Sequence, residues 1–161
     1  MPSFQCRRIL VPLDGTAAHE PALPVASTIA GAFSAQLHLI LVIPTLETLT
    51  GERAVPGMLL PMTMRAILDL AQQGAVDYLE QAVARCRAEG VSVAAEVMRG
   101  DAAPAVRDLA DHMDADLIIM ATHGRAGLDA ILTGSVAPRI AGRAPCPLLL
   151  VRAEDAADED H

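Results

Sequence analysis

The sequence predicts an α/β fold in which one five-stranded parallel sheet carries helices on both faces. Five short apolar segments alternate with segments of helical periodicity, and this alternation is typical of strands joined by crossover helices. The fourth apolar segment, Leu117 to Met120, is purely hydrocarbon, as expected for a strand covered on both faces. A length of 161 residues suits one domain with a substantial core.

The elements of the first half follow from apolar runs and turn residues. Arg8–Asp14 and Leu37–Ile43 are short apolar runs and are predicted as strands. Apolar residues at helical spacing predict a helix over Ala17–Phe33, with Thr16 as a possible N-cap. The prolines and glycines of residues 45–61 predict a loop or lid.

The second half begins with a long helix over Thr63–Glu89, predicted from an apolar stripe spaced three or four residues apart and ended by Gly90. The remaining predicted elements are, in order, strand Val91–Met98, helix Ala102–Met113 capped by Asp101, strand Asp116–Ala121, helix Ser135–Gly142 and strand Cys146–Val151. We expect one domain over residues 1–152, followed by a disordered acidic tail over 153–161.

Charge and composition exclude several classes of function. The net charge of −8 disfavours general binding of polyanions, and an aromatic content of 2% argues against a surface that stacks single-stranded bases. All 12 basic residues are arginine, so the lysine-containing P-loop and Schiff-base catalysis are both excluded.

The three cysteines indicate the compartment. Cys6, Cys86 and Cys146 are far apart and form no CxxC pair, which favours reduced thiols over a zinc site or a disulfide framework. No signal peptide and no apolar run long enough to span a membrane is visible. We therefore expect a cytoplasmic protein.

Polar and small residues follow three of the predicted strands. Asp14, Val42 and the residues 121–124 all lie at strand ends. In open parallel sheets, ligands bind at the carboxyl ends of the strands, near the switch in strand order. The sequence therefore predicts that these three segments face one crevice.

The segment ATHGRAGLDAILTGS, residues 121–135, is a candidate cradle for an anion. Gly134 and Ser135 lie where the last helix begins, and free N–H groups at a helix start bind phosphate. Gly124 permits a positive φ or a close approach of the backbone to a ligand. The alternative is that Ser135 is an ordinary N-cap and Gly124 an ordinary turn residue.

The sequence resembles the universal stress protein family, and specifically its nucleotide-binding branch. The resemblance covers residues 7–152 and is carried by ILVPLDGT, LHLILVI, MATHGRAGLDAILTGSVAPRI and APCPLLLVR. It implies a Rossmann-like sheet of the adenine nucleotide alpha hydrolase type with strand order 3-2-1-4-5. The family's ATP signature is a glycine, two residues, a glycine, nine residues and Gly-Ser or Gly-Thr. Gly124 and Gly134-Ser135 fit this signature, and Ala121 replaces its first glycine.

The resemblance also implies roles for individual residues. ATP would be the ligand, with any Mg²⁺ held mainly by phosphates and water. Asp14, beside Pro12 and Leu13, would accept hydrogen bonds from the ribose, and Val42 would meet the adenine. The residues that would line the ribose and phosphates are Met120, Ala121, Thr122, His123, Gly124, Arg125, Gly134, Ser135 and Val136. For His123 and Arg125 the alternatives are a loop brace and a solvated charge.

The last strand suggests a partner. An apolar strand at a sheet edge invites association, and the resemblance implies a homodimer centred on Leu148, Leu149, Leu150 and Val151. The alternative is that a helix or the tail covers this edge.

Three functions are compatible with these residues. The first is an ATP-binding regulatory protein of the stress response, because neither paired catalytic carboxylates nor a nucleophile elbow is evident. The second is a slow ATPase or nucleotidyl-transfer enzyme that uses Ser135, His123 and Arg125. The third is a dimeric adaptor that has lost nucleotide binding, an alternative that Ala121 keeps open.

Overall fold

Strands and helices alternate along the chain in the computed structural model, which describes residues 4–16, 20–50, 60–122 and 136–152. The strands are β1 Arg8–Leu13, β2 Gln36–Ile43, β3 Val93–Arg99, β4 Leu117–Thr122 and β5 Leu148–Arg152. The helices of these residues are α1 Ala22–Phe33, α2 Leu46–Thr50, α3 Leu60–Ala88, α4 Ala102–His112 and α5 Val136–Ala141. The predicted alternation is confirmed.

The sheet is parallel, and its strands are ordered β3-β2-β1-β4-β5, as predicted. In the central strand β1, Leu10 lies opposite His38 of β2 and Ile118 of β4. At the amino ends of the strands, the backbone N–H groups of Arg7 and Arg8 donate to Asp116 Oδ2 at 2.8 and 2.9 Å. This carboxylate fixes the start of β1 against the start of β4.

Two apolar cores lie on opposite faces of the sheet. Ile9 and Val11 of β1 belong to the core that α1 and α3 cover, whereas Leu10 belongs to the core that α4 and α5 cover. All three side chains are completely buried. β1 is thus buried on both faces, as the apolar runs predict.

The start of α1 differs from the prediction. The helix begins at Ala22 rather than Ala17, and its N-cap position is Pro21, which makes no side-chain cap. A proline suits this end because its missing N–H group has no partner within a first turn. Thr16 donates to Asp14 instead, so the prediction of Thr16 as the helix cap is wrong.

The predicted loop or lid over residues 45–61 is also wrong at both of its ends. α2 begins at Leu46, where Thr48 N–H donates to Thr45 Oγ1 at 3.2 Å, and α3 already begins at Leu60. The short α2 has too few residues to show helical periodicity in a sequence. Residues 51–59 lie outside the described ranges, as does the predicted acidic tail.

The third strand begins at Val93, two residues later than predicted. Val91 N–H donates to Cys86 O at 3.1 Å, which closes the last turn of α3. Gly90 makes this closure possible with a φ of +80°, so the predicted C-cap is confirmed. Of the helices that the structure describes, none is long and apolar enough to cross a membrane.

Candidate functional site

A cavity of about 400 Å³ opens at the carboxyl ends of β1 and β2, beneath α3. Asp14 and Val42, which the strand-end argument predicts to meet, both line it. The full lining consists of Asp14, Gly15, Leu41, Val42, Ile43, Pro44, Ala71, Gly74, Ala75 and Tyr78. The walls are thus mostly apolar, with a carboxylate and a phenol as their polar side chains.

The turn after β1 positions the carboxylate. Asp14 Oδ1 accepts from Thr16 N–H at 2.9 Å and from Thr16 Oγ1 at 2.7 Å. Gly15 between them has a φ of +78°, a backbone conformation that favours glycine. The sequence Asp-Gly-Thr therefore folds into a local turn that holds Asp14 at the mouth of the cavity.

The other predicted residues divide into two groups. Pro12 and Leu13 are the last residues of β1, and Met120, Ala121 and Thr122 end the adjacent β4, but none of these five described residues lines the cavity. Val136 is half-buried at the start of α5. His123, Gly124, Arg125, Gly134 and Ser135 lie outside the described residues.

The structure brings α3 into the cavity, which the sequence analysis did not predict. Ala71, Gly74 and Tyr78 recur at intervals of three and four residues and line one wall. A sequence signal was available, because Gly74 interrupts a strong helical pattern and Tyr78, the chain's one tyrosine, follows it by one turn.

Tyr78 is the least satisfied polar group of this wall. Its hydroxyl is buried and reaches no partner at full hydrogen-bond geometry among the described residues, although the Arg85 guanidinium interacts with it. Burial raises the pKa of the phenol, the Glu20 and Asp14 carboxylates raise it further, and the Arg85 guanidinium opposes them. Tyr78 is therefore a neutral hydrogen-bond donor at physiological pH.

Glu20 and Arg85 anchor α3 beside this wall. Arg85 donates to Glu20 Oε1 at 3.1 Å, which joins α3 to the segment that precedes α1. Arg99, at the end of β3, donates to Gln72 Oε1 of α3 at 2.7 Å. These two contacts join α3 to the segment before α1 and to the end of β3.

No metal centre accompanies the cavity in the residues described. Within 4–16, 20–50, 60–122 and 136–152, no group of three His, Cys, Asp or Glu side chains could hold an ion. His38, which has no metal-ligand spacing in the sequence, pairs with Glu96 at 2.7 Å.

The chain matches the family model described as the Universal stress protein family over residues 5–152. It belongs to this family. A universal stress protein of Methanocaldococcus jannaschii is 30% identical over 146 residues, covering 91% of this chain and 82% of the relative. A universal stress protein structure from Lactobacillus plantarum has a TM-score of 0.76 at 23% identity, covering 93% of this chain and 100% of that one.

Several of the similar structures contain an adenine nucleotide. A family member from Arabidopsis thaliana with AMP bound has a TM-score of 0.67 at 16% identity, covering 96% of this chain and 97% of that chain. One from Archaeoglobus fulgidus in complex with dAMP has a TM-score of 0.60 at 21% identity, covering 91% and 98%. At these identities the likeness shows the common fold.

The cavity wall gives a stability prediction at Gly74. A Cβ added there would meet no atom within 4 Å, so Gly74→Ala should stabilise the protein by about 0.5–1 kcal/mol through helix propensity. Gly90→Ala is the opposite control, because a φ of +80° should make it cost about 1 kcal/mol or more. Urea denaturation measures both, and a destabilised Gly74→Ala variant would contradict this account of the wall.

Proposed function

We propose that this universal stress protein binds an adenine nucleotide, with ATP as the physiological ligand, and acts as a nucleotide-dependent regulator in the stress response. The observation that carries the proposal is the cavity at the ends of β1 and β2, because Asp14 and Val42 meet there. Parallel α/β sheets bind ligands at this edge. The cavity volume of about 400 Å³ lies within the range of about 300–1,000 Å³ that is usual for small-molecule sites.

The polarity of the walls suits a nucleoside. Leu41, Val42 and Pro44 offer an apolar surface on which a base would lie, leaving its edge to backbone groups. Asp14 offers a carboxylate, and hydrogen bonds from sugar hydroxyls to a charged acceptor are among the stronger ones. Tyr78 adds a phenol ring to this wall.

The phosphates would extend towards the segment between β4 and α5. Thr122 ends β4 and Val136 begins α5, so these residues flank the segment that contains Gly124, Gly134 and Ser135. Backbone N–H groups of this segment and of the helix start would bind the phosphate oxygens. His123 and Arg125 are further candidates within it.

Ala121, which replaces the first glycine of the family's signature, is compatible with this proposal. Its side chain is 2% exposed and belongs to the core between the sheet and the α1 and α3 layer. The extra methyl group thus packs inside the protein. Any Mg²⁺ would be held by the phosphates and water with at most one carboxylate.

We further propose a homodimer through β5. This strand lies at one edge of the sheet, and Leu149 and Leu150 are 37% and 45% exposed. Exposed leucines on an edge strand favour association with a second copy.

The Asp14 carboxylate gives the sharpest test of the nucleotide proposal. Asp14→Asn keeps an oxygen acceptor for the Thr16 turn but removes the charge, so we expect ATP affinity to fall about tenfold with little change in melting temperature. Isothermal titration calorimetry measures the affinity. Asp114→Asn is the matched control, because this aspartate has an 82% exposed side chain at the amino end of β4, and it should leave ATP binding unchanged.

The identity of the nucleotide that co-purifies with the chain distinguishes the ATP-binding regulator from the slow ATPase and from the dimeric adaptor. Intact ATP released on denaturation supports the binding protein, whereas ADP with sustained turnover supports the slow ATPase. An ATP affinity too weak to measure in the wild-type protein would overturn the proposal and leave the dimeric adaptor.

The edge of β5 gives a test of the dimer. Leu150→Arg should convert the dimer to a monomer, because a charge would be buried in the apolar contact, and sedimentation or light scattering measures the mass. Leu70→Arg is the control, since Leu70 is 74% exposed on α3, away from β5. A dimer that survives Leu150→Arg would place the interface elsewhere.

A further inference from the structure

We propose that a second cavity, between α4 and α5, is a binding site for a small phosphate-bearing anion, separate from the nucleotide cavity. This cavity has a volume of about 360 Å³ and is lined by Ala103, Arg107, Pro138, Arg139, Gly142 and Arg143. Three arginines and no acidic residue are in this lining. It shares none of its lining residues with the cavity at β1 and β2, so the two are distinct.

The cavity-lining residues of each helix are four positions apart, so they lie on the same helix face and bring three arginines to one cavity. Arg107 lies one turn after Ala103 on α4, and Arg143 lies one turn after Arg139 at the end of α5. Ala103 and Gly142 are small, which leaves space between the two helices. The arginines thus surround an open volume that their own side chains do not fill.

Arg107 brings a second guanidinium group to the cavity. Its Nε is buried and has no hydrogen-bond partner in the part of the chain that the structure describes. Because Nε is buried, a ligand in the cavity would contact Arg107 through the terminal nitrogens of its guanidinium group, which lines the cavity. Arg107 makes no ion pair with the described residues, so its charge is available to an anion.

Arg139 is held in place by the Asp101 carboxylate. Both of its terminal nitrogens donate to the Asp101 carboxylate, with Nη1 to Oδ1 at 2.9 Å. Asp101 also accepts from Ala103 N–H at the start of α4. The hydrogen bond from Arg139 lowers the pKa of Asp101, so the carboxylate stays ionised and fixes the guanidinium at the cavity wall.

The charge balance leaves a local positive field. Asp101 pairs with Arg139 and also attracts Arg107, so one carboxylate stands against three arginines, and Arg107 and Arg143 make no ion pair within the described ranges. Guanidinium groups match the geometry of phosphate oxygens and bind them bidentately. Because the chain as a whole carries −8, a long polyanion would be repelled, whereas a small phosphate compound would contact this field alone.

Titration with pyrophosphate, in the absence of nucleotide and at constant ionic strength, tests the proposal. We expect saturable binding to the wild-type protein and an affinity at least about tenfold lower for Arg107→Gln and for Arg143→Gln. ATP affinity should stay within about twofold for both variants, because neither residue lines the nucleotide cavity. Arg87→Gln, which removes an exposed arginine of α3, is the matched control and should bind pyrophosphate normally.

Three outcomes would overturn the proposal. The first is that the wild-type protein does not bind pyrophosphate. The second is that Arg107→Gln and Arg143→Gln bind it as tightly as the Arg87→Gln control does. The third is that the ATP affinity of these two variants falls in parallel with their pyrophosphate affinity. The last would show that the arginines serve the nucleotide's own phosphates. Arg143 is exposed, so its variant keeps the test decisive even if Arg107→Gln fails to fold.

Discussion

The fold depends on the burial of β1 between two strands and two helix layers. Leu10 and Val11 are completely buried on opposite faces, so this strand cannot move without disturbing both cores. The chain runs outward from β1 to β2 and β3 and then crosses back to β4 on the other side of β1. Ligands of open parallel sheets bind at the carboxyl ends of the strands beside this reversal of order, and the observed cavity lies next to it, at the ends of β1 and β2.

The two cavities belong to different layers of the molecule. The one lined by Asp14 and Tyr78 lies with α3, and the one lined by Arg107 and Arg143 lies between α4 and α5. The sheet separates these layers. A ligand in either cavity would contact its own helices, and the central strands are the shared structure through which the two sites would influence each other.

The sequence could predict the strands, the helices and the residues at strand ends, because these depend on patterns over short stretches of chain. It could predict less about how a long helix such as α3 lies across the sheet. Asp14 and Val42 line one cavity because strand ends in a parallel sheet share an edge, whereas Ala121 and Thr122 of β4, predicted to face the same crevice, do not line it. Gly74 and Tyr78 were not predicted as wall residues, since their position depends on how α3 lies over the strands. The start of α1 at Ala22 also differs, because Thr16 serves the local Asp14 turn. The proposed phosphate residues from His123 to Ser135 stay a prediction.

The most direct test of the account is to map the ATP site by NMR on the isotope-labelled, nucleotide-free protein. The account predicts that ATP shifts the amide signals of Asp14, Gly15 and Val42, which lie at the carboxyl edge of the sheet. Signals at the opposite edge, such as those of Ser92 and Asp116, should stay in place. Shifts only at the amino ends of the strands, or no shifts on addition of ATP, would contradict the claim that the carboxyl ends of β1 and β2 form a nucleotide site.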